Sequence, residues 1–167
     1  MRDLSSAPVP ELGPDDRVRG PSGAPLILLY GDFECHFCAL VHSRLVGRDV
    51  RVAFRHFPVE SQHSRAWPAA GAAEAAARQG RFWEMHDSLF ADRGRLEDPH
   101  LWARAQALGL DLDRFDVDRR SDAVKERVRR DFTGGLRAGV ATTPTLFADG
   151  HRYGMPDEEV LARLAKS

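Results

Sequence analysis

Leu26-Ile27-Leu28-Leu29-Tyr30-Gly31-Asp32-Phe33-Glu34-Cys35-His36-Phe37-Cys38 is the stretch on which the fold turns. Its first five residues are a continuous apolar run behind Pro25, suited to a strand buried on both faces. Beyond Cys38 the period changes: Leu40, Val41 and Leu45 recur at helical spacing and Gly47 supplies a stop. The cysteine pair therefore opens a helix directly behind a buried strand. Val50, Val52 and Phe54 then alternate with Arg51 and Arg55 until Pro58 closes a second strand. Strand, helix, strand at this spacing predicts a parallel pair with a right-handed crossover.

Outward from this unit, residues 1–24 hold Pro8, Pro10, Pro14 and Pro21 with Gly13, Gly20 and Gly23, which predicts an extended, loosely ordered arm before a domain at 25–167. Residues 60–138 predict a helical insertion. It comprises an alanine-rich helix over 66–79 stopped by Gly80, a short helix marked by Phe82, Met85, Leu89 and Phe90, and a helix started by Asp98-Pro99 and ended by Gly109. A long helix follows, with Val124, Val128, Phe132 and Leu136 in a four-residue stripe. After Gly139 come strands at 145–148 and 151–153 around Asp149-Gly150, then a helix from Pro156-Asp157 carrying Val160, Leu161, Leu164 and Lys166. The order is βαβ, helical insertion, ββα: an α/β chain.

A length of 167 residues with 43% hydrophobic and 29% charged residues fits one globular domain. With a formal net charge of -1 there is no basic field to gather phosphate backbones, so nucleic acid is not an expected partner. No apolar run approaches the roughly 20 residues of a membrane span, so the chain is not expected to be membrane-embedded. Met1-Arg2-Asp3-Leu4-Ser5-Ser6-Ala7-Pro8 carries an early acid and no apolar stretch of about 7 to 15 residues, so a cytoplasmic location is expected.

The two cysteines, Cys35 and Cys38, are the only ones in the chain. A lone close pair points to redox chemistry or metal rather than to a disulfide scaffold. Only a thiolate is a useful nucleophile, and unpaired amides with the positive end of a helix dipole favour the anion where Cys35 enters the helix. The expectation is an exposed, nucleophilic Cys35, tuned by a protonated His36, and a buried resolving Cys38. A zinc site using Cys35, Cys38 and His42 is the competing chemistry, but no second cysteine pair exists to complete four ligands. No metal ligand and no bound cofactor are expected.

Tyr30 to Cys38, followed far downstream by Thr143-Pro144-Thr145-Leu146-Phe147, resembles the DsbA-like thioredoxin family. Gly80-Arg81-Phe82-Trp83-Glu84-Met85-His86-Asp87 is similar to its smaller branch, which includes thioredoxin-like domains attached to some sodium/proton antiporters. The resemblance runs from about residue 15 to the C-terminus. It implies a thioredoxin-like fold with a central mixed sheet and a thiol-disulfide oxidoreductase acting with a redox partner on protein or small-molecule thiols and disulfides. It also implies a cis bond at Thr143-Pro144 and a substrate segment pairing with the Thr143 backbone. Two positions depart from the family: His36 stands where proline is common, and Leu29 where a buried acid is frequent. Deprotonation of Cys38 is then slower or falls to Asp32, Glu34 or water, and for Asp32 and Glu34 a solvated loop carboxylate is the equal alternative. A non-catalytic binding module or zinc-holding domain is the alternative function.

Elsewhere, Trp67, Phe82, Trp83 and Met85 are assigned to packing. Arg127, Arg129 and Arg130 are assigned to a solvated helix face and His42 to the surface.

Overall fold

A computed structural model describes residues 7–165. Twelve elements follow one another: β1 (Arg17–Arg19), β2 (Leu26–Gly31), α1 (His36–Leu45), β3 (Arg51–His56), α2 (Ala66–Ala77), α3 (Phe82–Ala91), α4 (Asp98–Ala107), α5 (Leu112–Asp118), α6 (Asp122–Arg137), β4 (Thr145–Ala148), β5 (His151–Tyr153) and α7 (Glu158–Leu164). The strands form one mixed sheet in the order β1-β3-β2-β4-β5. β2 runs parallel to β3, as α1 crossing between them requires, and antiparallel to β4.

The apolar run is central because both of its faces are covered. Ile27 and Leu29 point into the larger core with Val41 and Leu45 of α1, Met85 and Leu89 of α3, and Leu161 of α7. Leu28 and Tyr30 point the other way, toward Phe57, Ala138, Val140 and Phe147, with Phe132 of α6 packed against them. Each such aliphatic side chain withdrawn from water contributes about 1.5–3 kcal/mol, which is why a strand of alternating polarity would not serve at this position.

Two expectations need correcting. The arm over 1–24 is not loose throughout: β1 lies within it and pairs antiparallel with β3, Val18 opposite Ala53. Three residues of Arg-Val-Arg are too short to show a period. Between Gly109 and Val124 a further helix, α5, is present; Asp111 caps it by accepting from the Arg114 amide at 2.9 Å. Seven residues are under two turns, and only Phe115 and Asp118 of them are buried.

The stripe on α6 also turns. Val124 and Val128 are buried, yet Leu136 is 50% exposed. Steps of four residues advance about 400°, so a four-residue row drifts about 40° per step and leaves the core face. Asp131 and Gly135 take over that face. A Cβ at Gly135 would stand 2.7 Å from Phe57 Cδ2, so the close seat of α6 on the sheet depends on glycine. Lys166 and residues 1–6, on which the location was argued, lie outside the described residues. Among the described residues no helix is long and apolar enough to cross a membrane.

Candidate active site

The end of β2 passes through Asp32-Phe33-Glu34 into α1, with Cys35 as its N-cap in extended backbone conformation, φ -73° and ψ 120°. Because β4 is antiparallel to β2, with Tyr30 opposite Thr145, the segment before β4 is brought to the same end of the sheet as the start of α1. Thr143 and Pro144 thus arrive beside Cys35 from 108 residues away: Cys35 Sγ lies 3.5 Å from the Thr143 carbonyl oxygen. The Thr143-Pro144 peptide bond is cis. Pro144 is buried and Thr143 half-buried.

Both thiols are free, and they differ in environment. Cys35 retains 5% of its surface and Cys38 none. Cys35 is therefore buried in the reduced pair, where an exposed nucleophile was expected. Its pKa is lowered to about 5, chiefly by the hydrogen bond from the Cys38 thiol, against the opposing effect of burial. The Thr143 side chain and the amides of Cys38 and Phe37 add to the lowering. Those amides are the orphan donors of the first turn, though neither closes a capping hydrogen bond of normal geometry. Burial pushes the Cys38 thiol well up, and its neighbour Cys35 raises it further.

His36, expected to tune the sulfur, is not among the groups that lower its pKa most. It is exposed, and its Nδ1 lies 3.3 Å from an Arg93 guanidinium nitrogen. Phe37, between the cysteines, is 52% exposed.

The two loop carboxylates are not solvated. Asp32, buried, accepts from the Glu34 amide at 2.8 Å and the Val59 amide at 2.9 Å, and lies 2.8 Å from His63 Nδ1. Glu34 accepts from the Arg65 amide at 2.8 Å, at the start of α2. Both acids fasten the cysteine loop to the 59–65 segment. His63 is the partner that sequence reasoning missed; it stands alone in a polar loop, with no periodic or motif signal. Phe33 anchors the loop from below, stacked on Phe54 at a centroid distance of 5.2 Å and on edge to His86 at 5.5 Å. Leu29 is 1% exposed in the larger core.

Other assignments hold in part. Phe82 and Met85 are core, whereas Trp67 and Trp83 are half-buried. Arg127 is not a solvated residue: it is half-buried and paired with Asp131. Nor does His42 belong to the surface; its side chain is 14% exposed and stacks on Phe90.

Comparison with known proteins agrees with this geometry. A family model described as Thioredoxin matches residues 13–166. The chain is 44% identical over 150 residues to a Na(+)/H(+) antiporter NhaA 1 of Mycolicibacterium gilvum, covering 84% of this chain and 24% of that protein. An NhaA of Herminiimonas arsenicoxydans is 41% identical over 158 residues, 90% of this chain and 25% of that one. The chain thus spans about a quarter of the length of these curated relatives. Among solved structures, a thioredoxin-like oxidoreductase from Silicibacter pomeroyi superposes with TM-score 0.81 at 22% identity, covering 92% of both chains. The thiol-disulfide exchange protein alpha-DsbA2 from Wolbachia pipientis gives TM-score 0.78 at 18% identity, covering 90% of this chain and 86% of that one. These likenesses show the DsbA-like thioredoxin fold.

Proposed function

The chain belongs to the thioredoxin family, and from that premise we propose that it is a thiol-disulfide oxidoreductase working through Cys35 and Cys38 on protein or low-molecular-weight disulfides. The observation that carries this is the opposite polarisation of two neighbouring sulfurs, one held as thiolate with a pKa of about 5 and the other held protonated by burial. A structural thiol pair needs no such division.

In the reaction, the Cys35 thiolate attacks one sulfur of a substrate disulfide and expels the other substrate sulfur as a thiolate, which takes up a proton. Cys38 then loses its proton and attacks Cys35 Sγ, releasing the second substrate thiolate and leaving a Cys35–Cys38 disulfide. The substrate gains two electrons and the pair loses two; the reverse sequence oxidises a dithiol. Extended substrate would lie beside Thr143 and Pro144, whose backbone borders the Cys35 sulfur.

A low Cys35 pKa stabilises the reduced pair at neutral pH and so makes its disulfide a better oxidant. This supports electron flow into the pair from substrate dithiols, in preference to the reductase that a cytoplasmic location would favour. The reduction potential is expected between about -270 mV and about -120 mV, the values of strongly reducing and strongly oxidising members of this fold. A value below that interval restores the reductase direction. Sodium/proton exchange is not part of the proposal, since the chain matches only about a quarter of the antiporters.

The decisive experiment is turnover of a model disulfide with three proteins. The unmodified chain is expected to reduce insulin in the presence of dithiothreitol, Cys35→Ser to be inactive, and Cys38→Ser to accumulate mixed disulfides. Trapping by Cys35→Ser instead would reverse the two roles. Stoichiometric zinc on the cysteines with no turnover would favour the zinc-holding alternative.

A further inference from the structure

Next to Phe33, which meets the His86 ring on edge at 5.5 Å, α1 and α3 bring together His42, His86 and Asp87. One donor atom from each lies within 4.8 Å of the others. His86 Nδ1 is 2.8 Å and His42 Nε2 3.5 Å from the same carboxylate oxygen, Asp87 Oδ1. A cavity of about 270 Å³ opens against the same three side chains, walled by Leu29, Val50 and Val52. We propose that His42, His86 and Asp87 form a binding site for a borderline divalent cation of the Zn(II) type, separate from the two thiols.

Two imidazole nitrogens and one carboxylate oxygen are a donor set that such cations take, and their convergence from two helices on one point is what coordination needs. A cation there would take the place of the proton between His86 Nδ1 and Asp87 Oδ1, which lie 2.8 Å apart. Arg19 donates to the other carboxylate oxygen, Oδ2, at 2.7 Å, and stacks over Trp83 at 4.4 Å. That contact turns Oδ1 toward the histidines, the orienting role of a group behind a ligand. It also sets a positive charge near the cation, so the site is weaker than a closed structural zinc centre. His86 Nε2 is buried without a partner, which lowers the affinity further. Three protein donors leave the remaining positions to water, for which the cavity has room.

This assignment departs from the expectation of no metal ligand, and His42 enters it without Cys38. It stands or falls apart from the redox function, because its test removes both sulfurs. The Cys35→Ser/Cys38→Ser protein is titrated with Co(II), followed by visible d–d absorption, and with Zn(II), followed by calorimetry. One equivalent of each is expected to bind. His42→Ala and Asp87→Asn in that background are each expected to weaken binding by at least about tenfold, the size of effect typical of altered metal shells. Far-ultraviolet circular dichroism checks that each variant is folded, and two variants guard against one failing to fold. No binding to the thiol-free protein, or an affinity in both folded variants unchanged from that of the thiol-free parent, overturns the site.

Discussion

At the start of α1 a thiolate is held by neutral donors, whereas where β1, the end of β3, α2 and α6 meet, charges are held by one another. Cys35 is surrounded by a thiol, a hydroxyl-bearing side chain and backbone amides. In the second region Arg17 contacts Glu74 at 2.7 Å, Glu74 contacts His56 Nε2 at 2.9 Å, and Asp131 accepts from the His56 amide at 3.0 Å while pairing with Arg127. A charge with a full counter-charge has little to gain from reacting. One stabilised by a thiol and amides has no counter-charge to hold it, and the contrast separates the proposed reactive site from a brace.

The brace should therefore show in stability and not in chemistry. Glu74→Ala leaves His56 and the Arg17 guanidinium facing an emptied position, with Glu74 itself only 3% exposed. Removing one partner of a buried pair costs about 3–5 kcal/mol, and the partial exposure of Arg17 places this case near 3. Urea unfolding with a correspondingly lower midpoint, together with an unchanged alkylation rate of Cys35 in the folded variant, is the expected result. A change in that rate would join the two regions.

Gly135→Ala tests the same side of the sheet by volume instead of charge. The new Cβ, 2.7 Å from Phe57 and 3.0 Å from Tyr30, pushes on rings that pack against β2 and β4. Overpacking of this kind costs about 1–3 kcal/mol. Thermal denaturation measures it; a neutral result would mean that α6 can lift off without loss.

For the reactive site the matching probe is pH. A thiol whose pKa falls to about 5 on folding favours the folded reduced state. That contribution is complete above the unfolded thiol's pKa, shrinks through the window down to about 5 and is absent below it. Iodoacetamide alkylation should follow the thiolate fraction, constant near neutrality and about tenfold slower one pH unit below the midpoint. A midpoint near the ordinary thiol value would remove the asymmetry between the sulfurs.

The two regions also differ in how readable they were. The proposed reactive site was legible because it is local: a buried strand, two cysteines at fixed spacing and helical periodicity sit within 20 residues. The approach of Thr143 came from a resemblance, since nothing local ties residue 143 to residue 35. The brace could not be read, because Arg17, His56, Glu74 and Asp131 come from four elements and each looks in sequence like an ordinary polar residue. The same holds for Asp32 and His63, which the fold brings together across 31 positions.

The smallest expected effect concerns His36, which sequence adjacency alone puts beside the nucleophile. Adjacent residues on a helix point about 100° apart, and this ring faces outward to Arg93 at 3.3 Å while the sulfur faces Thr143. A charge on this exposed ring would be screened by water. His36→Ala should leave the Cys35 thiolate midpoint where it was, followed by thiolate absorbance at 240 nm against pH, whereas Thr143→Val should raise it by removing one source of the lowering, the Thr143 side chain. If His36→Ala moves the midpoint upward and Thr143→Val does not, the thiolate is held by a charge after all, and the contrast between the two regions disappears.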